Sequence, residues 1–339
     1  MVKIWKIYGG AFVNKVGILL PPPGNVVEMF EKVKKAEGLE EEISILLSRS
    51  EKEKQEILKE SVALIMSSIS LDDLDVAKNL KLIQVPFAGV DTFNVKELIK
   101  RGIILANVHS NATAVAEYAF GLLISLAKDF IRSDRDLRRG YWHGWMGKEP
   151  NMEIEGKTVT IIGLGSIGRK IAEFAKAFGM YVVGVKKNLQ NYPNVDEVYG
   201  TEDLLKAVEK AHFVISALPL TDETESLIDR NVFNAMKGKY FINVGRGLVV
   251  NEEDLFVALK NHVLKGAAID TWWNYPEKPL QFAQPSKYPF FALDNVMMTA
   301  HAAGFSEESV KRNWEDSVRN IVKLFLGKEV ENIITERGY

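Results

Sequence analysis

The chain lacks cysteine, has almost no net charge and has no hydrophobic run long enough to span a membrane. The absence of cysteine excludes disulfide bonds, thiolate nucleophiles and cysteine metal ligands. The 43 basic and 45 acidic residues give a formal net charge of −2, so nothing indicates binding to nucleic acid or anionic membranes. The most apolar helical stretch, Ala112–Leu126, contains Glu117 and is too short to cross a bilayer. The five histidines show no metal-ligand spacing, so we expect no metal.

The bulk composition is that of an ordinary globular protein. The 339 residues are enough for two domains, with 47% hydrophobic and 26% charged residues. The first ten residues lack the long apolar core of a signal peptide. We therefore expect a soluble, cytoplasmic protein with a sizeable core.

Strands and helices alternate along the first third of the chain, a pattern typical of a parallel sheet with crossover helices. The predicted strands lie near Lys3–Tyr8, Ile43–Leu47, Val62–Met66, Leu82–Val85 and Ile103–Ala106. The predicted helices between them include Val26–Glu37, Glu51–Glu60 and Asn94–Arg101. This pattern predicts a compact α/β unit of about 105 residues, a common domain size.

A single long helix is predicted next, from about Ala112 to Arg139, and a second α/β unit follows it. Its predicted strands are Thr158–Ile162, Tyr181–Val185, Phe213–Ala217, Tyr240–Val244, Ala267–Asp270 and Val296–Thr299. A last amphipathic helix is predicted over Glu307–Phe325.

The segment Val159–Gly168 carries the most specific motif of the chain. An apolar run leads into Gly163, Gly165 and Gly168 with the spacing GxGxxG, and an apolar stripe at helical spacing follows. A strand, glycine turn and helix in this order place backbone N–H groups and a helix N-terminus against a pyrophosphate. A tight turn without a ligand is the alternative, but the flanking context favours a dinucleotide.

Ligands of such sheets lie outside the carboxyl ends of the strands. Arg246, Asp270 and His301 each follow or end a predicted strand of the second unit. A guanidinium group can hold a carboxylate with two hydrogen bonds, and an imidazole titrates near neutral pH. These residues are therefore candidates for substrate binding and acid–base chemistry, against a structural salt bridge for Arg246 and a loop cap for Asp270.

Nearly the whole chain resembles the D-isomer-specific 2-hydroxyacid dehydrogenase family, and its glyoxylate/hydroxypyruvate reductases in particular. The motifs that carry the resemblance are Phe87–Asp91, Asn107–Glu117, Gly163–Gly168, Leu218–Thr224, Ile242–Gly247, Gly266–Asp270 and Thr299–His301. The resemblance implies two doubly wound α/β domains with parallel sheets. A Rossmann dinucleotide-binding domain would cover residues 107–303, and a flavodoxin-like substrate domain residues 1–106 and 304–339. It also implies a homodimer to which the helix from Ala112 contributes.

The resemblance assigns roles residue by residue. Arg246 would bind the substrate, His301 would be the acid–base group, and the backbone amides of Ala88 and Gly89 would bind the substrate carboxylate. Asp270 matches an aspartate at the nicotinamide end of the cofactor. The remaining cofactor contacts would come from the glycine turn and the later strand ends, namely Gly163, Gly165, Ser166, Ile167, Gly168, Pro219, Thr224 and Val244.

Two positions depart from the family pattern. Tyr275 stands where relatives have a glutamate that pairs with the catalytic histidine. A neutral phenol cannot stabilise an imidazolium as a carboxylate does, so either Tyr275 orients His301 more weakly or Glu277 substitutes.

Lys186 stands where NAD-preferring members have an acidic residue, and Lys187 follows it. Two cations suit a 2′-phosphate, so we expect preference for NADP over NAD.

These observations together predict an NADP-preferring reductase of small 2-keto acids, with glyoxylate and hydroxypyruvate as first candidates. The reverse reaction is oxidation of a D-2-hydroxy acid. Two alternatives stay open at this point. The chain could be a nucleotide-sensing binding module with little turnover, or a formate-type dehydrogenase, because related formate dehydrogenases also lack the glutamate.

Overall fold

The computed structural model describes residues 14–39, 43–48, 50–142, 150–276 and 281–335. The chain forms two compact units. The described residues through Asn111, together with those from Ser306 onward, form the first unit, and Ala112–Phe305 form the second. The assignment of substrate and dinucleotide binding to these units stays a prediction.

The first unit is a parallel five-stranded sheet with helices in its crossover connections. Its elements are β1 (Asn14–Ile18), α1 (Val26–Glu37), β2 (Ile43–Leu47), α2 (Glu51–Glu60), β3 (Ala63–Ile65), α3 (Leu71–Val76), β4 (Leu82–Gln84), α4 (Val95–Lys100) and β5 (Ile104–Ala106). The strand order is β2-β1-β3-β4-β5, the doubly wound order of flavodoxin-like folds. The polar end of β4 and the residues after β5 therefore lie at the carboxyl edge of this sheet.

The second unit is a parallel seven-stranded sheet of the Rossmann type. It begins with α5 (Ala112–Lys128) and α6 (Phe130–Arg138). These are followed by β6 (Thr158–Ile162), α7 (Ser166–Ala177), β7 (Tyr181–Val185), β8 (Glu197–Tyr199), α8 (Leu204–Glu209), β9 (Phe213–Ser216), α9 (Arg230–Ala235), β10 (Tyr240–Asn243), α10 (Glu252–Lys260), β11 (Gly266–Ile269) and β12 (Val296–Met298). The strand order is β12-β11-β10-β9-β6-β7-β8, so the order reverses between β6 and β9. Dinucleotides bind at such a switch point.

Alternation along the strands divides the core of the second unit into two layers. Val159 and Ile161 of β6 pack with α5 and α7, whereas Ile162 belongs to the cluster on the opposite face. The central strands β9, β10 and β11 are buried on both faces, as expected for a parallel sheet covered by helices. The chain returns to the first unit as α11 (Glu307–Phe325), whose Trp314 and Val318 join the core of that unit.

The predicted bounds of α1, α2 and α11 are confirmed, but the predicted helix Ala112–Arg139 is wrong as a single element. It breaks at Asp129, which has a φ of 53°. Aspartate tolerates this left-handed conformation better than most residues, and one such residue ends the run of helical hydrogen bonds. No helix within the described ranges is long and apolar enough to span a membrane.

Strands β1 and β8 were missed by the sequence prediction, which also named none of the helices α3, α8, α9 and α10. Strand β1 contains Lys15 and Gly17, which interrupt its apolar pattern. Gly17 is required by close packing, because a Cβ there would overlap the side chains of Ile57 and Leu64. The predicted strand Lys3–Tyr8 lies outside the described residues.

Candidate active site

The glycine turn after β6 has a geometry suited to a pyrophosphate. Gly163 has a φ of 102°, which L side chains rarely adopt, and a Cβ at Gly168 would overlap the carbonyl oxygen of Gly163. A Cβ at Gly165 would meet no protein atom within 4 Å. Packing therefore does not require glycine at Gly165, and the space beside this N-cap of α7 is open to a ligand. Ser166 and Ile167 open the helix, so their backbone N–H groups are among those without helical acceptors.

The two lysines from which the sequence predicts a preference for NADP directly follow β7. Lys186 is half-buried, and its backbone N–H donates to the carbonyl oxygen of Tyr199 over 3.0 Å. The ammonium group of Lys187 lies 2.8 and 2.9 Å from the two carboxylate oxygens of Glu223. Both side chains of this pair are about 70% exposed, so the pair is screened by water.

Glu223 belongs to a turn after β9 that contains two of the predicted cofactor residues. The hydroxyl group of Thr224 donates to the carbonyl oxygen of Pro219 over 2.7 Å and accepts from the backbone N–H of Thr221 over 2.8 Å. These bonds fix the turn that carries Pro219 and Thr224. The predicted contact of Val244 with the cofactor stays a prediction; its side chain is buried in the core beside this edge.

Arg246 follows β10 in a turn that its own neighbours hold. The side-chain amide of Asn243 donates to the carbonyl oxygen of Arg246 over 3.1 Å and accepts from the N–H of Gly245 over 3.2 Å. The guanidinium group donates to the carbonyl oxygen of Gly245 over 2.9 Å and is half-buried. One donor of the guanidinium fork thus anchors the side chain beside the strand end.

Asp270 follows β11 and is fully buried. One carboxylate oxygen accepts from the hydroxyl of Thr299 at 2.7 Å and from the N–H of Ala302 at 3.0 Å. The other accepts from the N–H of Ala303 at 3.1 Å. Asp270 therefore caps the turn that carries His301, as in the loop-cap alternative, and its contact with the cofactor stays a prediction.

His301 and Tyr275 lie side by side. Their ring centroids are 5.4 Å apart with an interplanar angle of 54°. His301 is exposed and has a φ of 53°, so its turn needs the support that Asp270 provides. The hydroxyl oxygen of Tyr275 accepts from the backbone N–H of Trp272 over 3.0 Å. Tyr275 thus contacts His301 through its ring, and its hydroxyl is engaged by the backbone.

Trp272 connects the arginine turn with the histidine turn. A Cβ at Gly247, next to Arg246, would overlap the carbonyl oxygen of Trp272. The indole N–H of Trp272 donates to the carbonyl oxygen of Thr299 over 2.7 Å. Because Trp272 also binds Tyr275, continuous contacts run from the Arg246 turn to the His301 turn at the carboxyl ends of three adjacent strands. The guanidinium and the imidazole thus belong to one edge of one sheet.

In the first unit, Ala88 and Gly89 follow β4 and are half-buried. The side-chain amide of Asn107 donates to the carbonyl oxygen of Ala88 over 2.6 Å. Sequence reasoning missed the hydrogen bonds that Asn107 makes in the first unit and Trp272 in the second. A signal for Asn107 was available, since it is a polar residue directly after a buried strand end.

His212 has a local structural partner, and His109 is affected by burial. The Nδ1 atom of His212 accepts from the N–H of Thr158 over 3.1 Å, and burial is the largest cause that lowers the pKa of His212. Burial also lowers the pKa of His109. His143 and the alternative partner Glu277 lie outside the described residues. No cluster of metal-ligating side chains occurs within the described ranges.

The family of D-isomer specific 2-hydroxyacid dehydrogenases, NAD binding domain, matches residues 120–303, more than half of the chain. A solved structure of an acyclic imino acid reductase in complex with NADPH and D-Arg has a TM-score of 0.78 and 25% identity, covering 95% of this chain and all of that one.

The curated relatives agree with this match. D-3-phosphoglycerate dehydrogenase of Methanocaldococcus jannaschii is 31% identical over 86% of this chain, which spans only 55% of that relative's length. Glyoxylate reductase of Korarchaeum cryptofilum is 30% identical over 81% of this chain and 82% of its own. The chain belongs to the D-isomer-specific 2-hydroxyacid dehydrogenases, a family of NAD(P)-dependent oxidoreductases. The matched residues 120–303 lie within the second unit, whose parallel sheet is of the Rossmann type.

Proposed function

We propose that the chain reduces small 2-keto acids with NADPH, with glyoxylate and hydroxypyruvate as first candidates, and oxidises D-2-hydroxy acids in reverse. The observation that carries this proposal is the run of contacts from the Arg246 turn through Trp272 to Tyr275 and His301. It gives one sheet edge both a cation for a carboxylate and a group that can exchange a proton.

In the proposed mechanism, Arg246, His301 and Asp270 each have a separate role. The bound nicotinamide cofactor supplies the hydride. Arg246 binds the carboxylate of the keto acid and polarises the adjacent keto oxygen, while the N–H groups of Ala88 and Gly89 also bind the carboxylate. His301 donates a proton to the new hydroxyl oxygen and takes it back in the reverse direction. Asp270 holds the turn of His301 throughout.

Preference for NADP is supported by the charges at the end of β7. Lys186 and Lys187 give this position two cations where a free ribose hydroxyl needs an acceptor. A structural relative was solved with NADPH. The carboxylate of Glu223 beside Lys187 weakens the positive field, so we expect a measurable but modest preference.

A homodimer is supported by an exposed apolar surface on α6. Phe130, Ile131 and Leu137 are each more than half exposed, and Tyr141 and Trp142 a few residues after the helix are more exposed still. A second copy of the chain would remove these side chains from water. Light scattering on the purified chain, compared with an Ile131→Glu variant, tests this expectation. We further propose a cytoplasmic location.

The central experiment measures kcat/KM for a panel of small 2-keto acids with NADPH and with NADH. We expect turnover with at least one keto acid and a higher kcat/KM with NADPH. His301→Ala should lower kcat/KM at least 100-fold, in the range typical of lost general acid–base catalysis. Arg246→Ala should lower it by about as much, because it removes the charge-assisted hydrogen bonds to the substrate. The matched control replaces His262, an exposed histidine just after α10. His262→Ala should keep wild-type activity. Absence of any turnover would contradict the proposal.

A formate-type dehydrogenase is the second candidate, because Tyr275 replaces the glutamate expected beside His301. Oxidation of formate requires no proton transfer to a histidine. The discriminating measurement is NAD(P)H production from formate, compared with NADPH consumption on adding glyoxylate. Binding of NADPH without turnover of either substrate would instead indicate a nucleotide-sensing module.

A further inference from the structure

We propose that Asn107 is a positioning residue that sets the direction of the Gly89 N–H group, one of the donors proposed for the substrate carboxylate. This inference rests on the proposed function, because it assigns a task within keto-acid binding. Asn107 lies directly after β5, is fully buried and contacts the neighbouring loop that follows β4. It does not touch the substrate itself in this proposal.

The argument starts from the geometry of one peptide bond. The carbonyl of Ala88 and the N–H of Gly89 belong to the same planar unit and point in opposite directions in a trans peptide. The Nδ2 atom of Asn107 lies 2.6 Å from the oxygen of Ala88. A hydrogen bond of this length fixes the carbonyl direction, so it also fixes the Gly89 N–H on the opposite side of the peptide plane.

The orientation of the Asn107 amide follows from its acceptor. Exchanging its nitrogen and oxygen would place two oxygen atoms in contact, so the Nδ2 group must face Ala88. The Oδ1 atom of Asn107 is buried and has no hydrogen-bond partner among the described residues. A half-satisfied buried amide costs free energy relative to an apolar side chain of the same shape. Stability alone would therefore favour an apolar side chain at this position, so the asparagine is explained by the hydrogen bond that its Nδ2 group donates.

The backbone on both sides of this contact is also held. The side-chain amide of Gln84 donates to the carbonyl oxygen of Val85 over 3.0 Å and accepts from Asn320 over 3.0 Å. The N–H of Asn107 donates to the carbonyl oxygen of Asn332 over 3.2 Å. These bonds anchor the start of the loop and the base of Asn107, whereas the bond to Ala88 acts on the peptide unit that contains the Gly89 N–H.

The test compares two substitutions of Asn107 with a matched control. Asn107→Leu keeps the approximate volume and removes the donor at every pH. Asn107→Asp keeps the shape, and its carboxyl group donates a hydrogen bond only while protonated; burial favours that neutral form. Asn313→Leu is the control, because Asn313 is also a buried asparagine of the first unit with an unpartnered Oδ1 among the described residues.

We expect Asn107→Leu to raise KM for the keto acid roughly 10- to 100-fold, the range for a lost hydrogen bond to a charged group. kcat and KM for NADPH should stay within about threefold of wild type. In Asn107→Asp, KM relative to wild type should rise with pH as the introduced carboxyl group ionises, which a purely structural role would not produce. Asn313→Leu should leave KM unchanged.

An unchanged KM in Asn107→Leu, or an equal rise in Asn313→Leu, would overturn the inference while leaving the proposed function intact. A wild-type chain that reduces no keto acid would overturn both. If Asn107→Leu does not fold, the pH dependence of Asn107→Asp decides alone, and a KM ratio that does not change with pH refutes the positioning role.

Discussion

Lys187 has a carboxylate partner at the position where a 2′-phosphate would need its charge. Glu223 neutralises this lysine through an exposed ion pair at 2.8 Å. Exposed pairs contribute about 0–1 kcal/mol, so the opposing effect of Glu223 on an incoming phosphate is also small. Replacing Glu223 alone by a neutral residue should therefore change the preference between NADPH and NADH.

Replacing Glu223 should raise the preference for NADPH. In Glu223→Gln we expect the ratio of kcat/KM for NADPH to that for NADH to increase up to about fivefold, because Lys187 is no longer neutralised. Lys187→Met should lower the same ratio. Glu225→Gln is the control, since Glu225 lies in the same segment and is exposed. A ratio that falls in Glu223→Gln would contradict this account of cofactor choice.

Tyr275 offers a second test at the residue scale. Its ring lies 5.4 Å from the ring of His301, while its hydroxyl is engaged by the N–H of Trp272. In Tyr275→Glu a carboxylate beside the imidazole should stabilise its protonated form, so the upper pH limit of keto-acid reduction should move upward by about one unit. Tyr275→Phe keeps the ring contact and should leave this limit in place. Equal pH profiles for all three proteins would show that this position does not act on His301.

At the element scale, strands β7 and β8 are joined by a cluster around Glu197. Its carboxylate accepts from the hydroxyl groups of Tyr181 and Tyr199 and from the ammonium group of Lys210. The hydrogen bond from Lys210 is the largest cause that lowers the pKa of Glu197 to about 2, from a usual 4.5. The charged form of Glu197 therefore stabilises the edge of the Rossmann sheet.

The stabilisation from Glu197 should depend on pH in a defined window. A carboxyl group with a lowered pKa in the folded state contributes its full stability above the unfolded pKa and loses it as the pH falls toward the folded value. Glu197→Gln should thus lower the free energy of unfolding at pH 7, and the difference should shrink between pH 4.5 and 2. Urea unfolding at several pH values measures it. Glu173→Gln, which changes an exposed glutamate of α7, should show a smaller effect.

Helix starts marked by a capping residue and strands with a continuous apolar run could both be predicted from the sequence, for physical reasons visible at particular residues. The predicted starts of α2 and α11 coincide with the caps Ser50 and Ser306, whose side chains accept from the first turn. Strand β8 has the sequence Glu197-Val198-Tyr199 and lacks the run of aliphatic residues that marks the three-residue strands β3 and β5. The break at Asp129 depends on one backbone angle that the helical pattern around it does not reveal.

In the candidate site too, some features were predictable from the sequence and others were not. Arg246 and His301 were predicted because each follows a strand within a recognisable motif. The contact between Asn107 and Ala88 joins two strand ends that are distant in sequence, so only the paired sheet shows it. The direction of the Tyr275 hydroxyl is likewise a property of the folded turn.

At the scale of the whole molecule, each unit has two hydrophobic clusters of its own among the described residues, and the first unit is completed by the last helix. Trp314, Val318, Ile321 and Val322 of α11 pack with α1 and the first sheet, whereas the two cores of the second unit contain none of them. The dinucleotide candidates all lie in the second unit. A substitution that destabilises the core of one unit should therefore leave the folding of the other unit largely unchanged.

Trp314→Ala should destabilise the first unit by about 3–5 kcal/mol, the usual cost of truncating a buried aromatic side chain. The affinity for NADPH should stay near the wild-type value at temperatures where the first unit still folds, because the glycine turn and Lys186 belong to the second unit. Phe233→Ala is the reciprocal variant, since Phe233 is buried in the second unit. Phe233→Ala should lower the melting temperature of the second unit, which is seen as a loss of NADPH binding at a lower temperature. Calorimetry with and without NADPH measures both, and equal effects of the two variants on NADPH binding would show that the cores do not unfold as separate units.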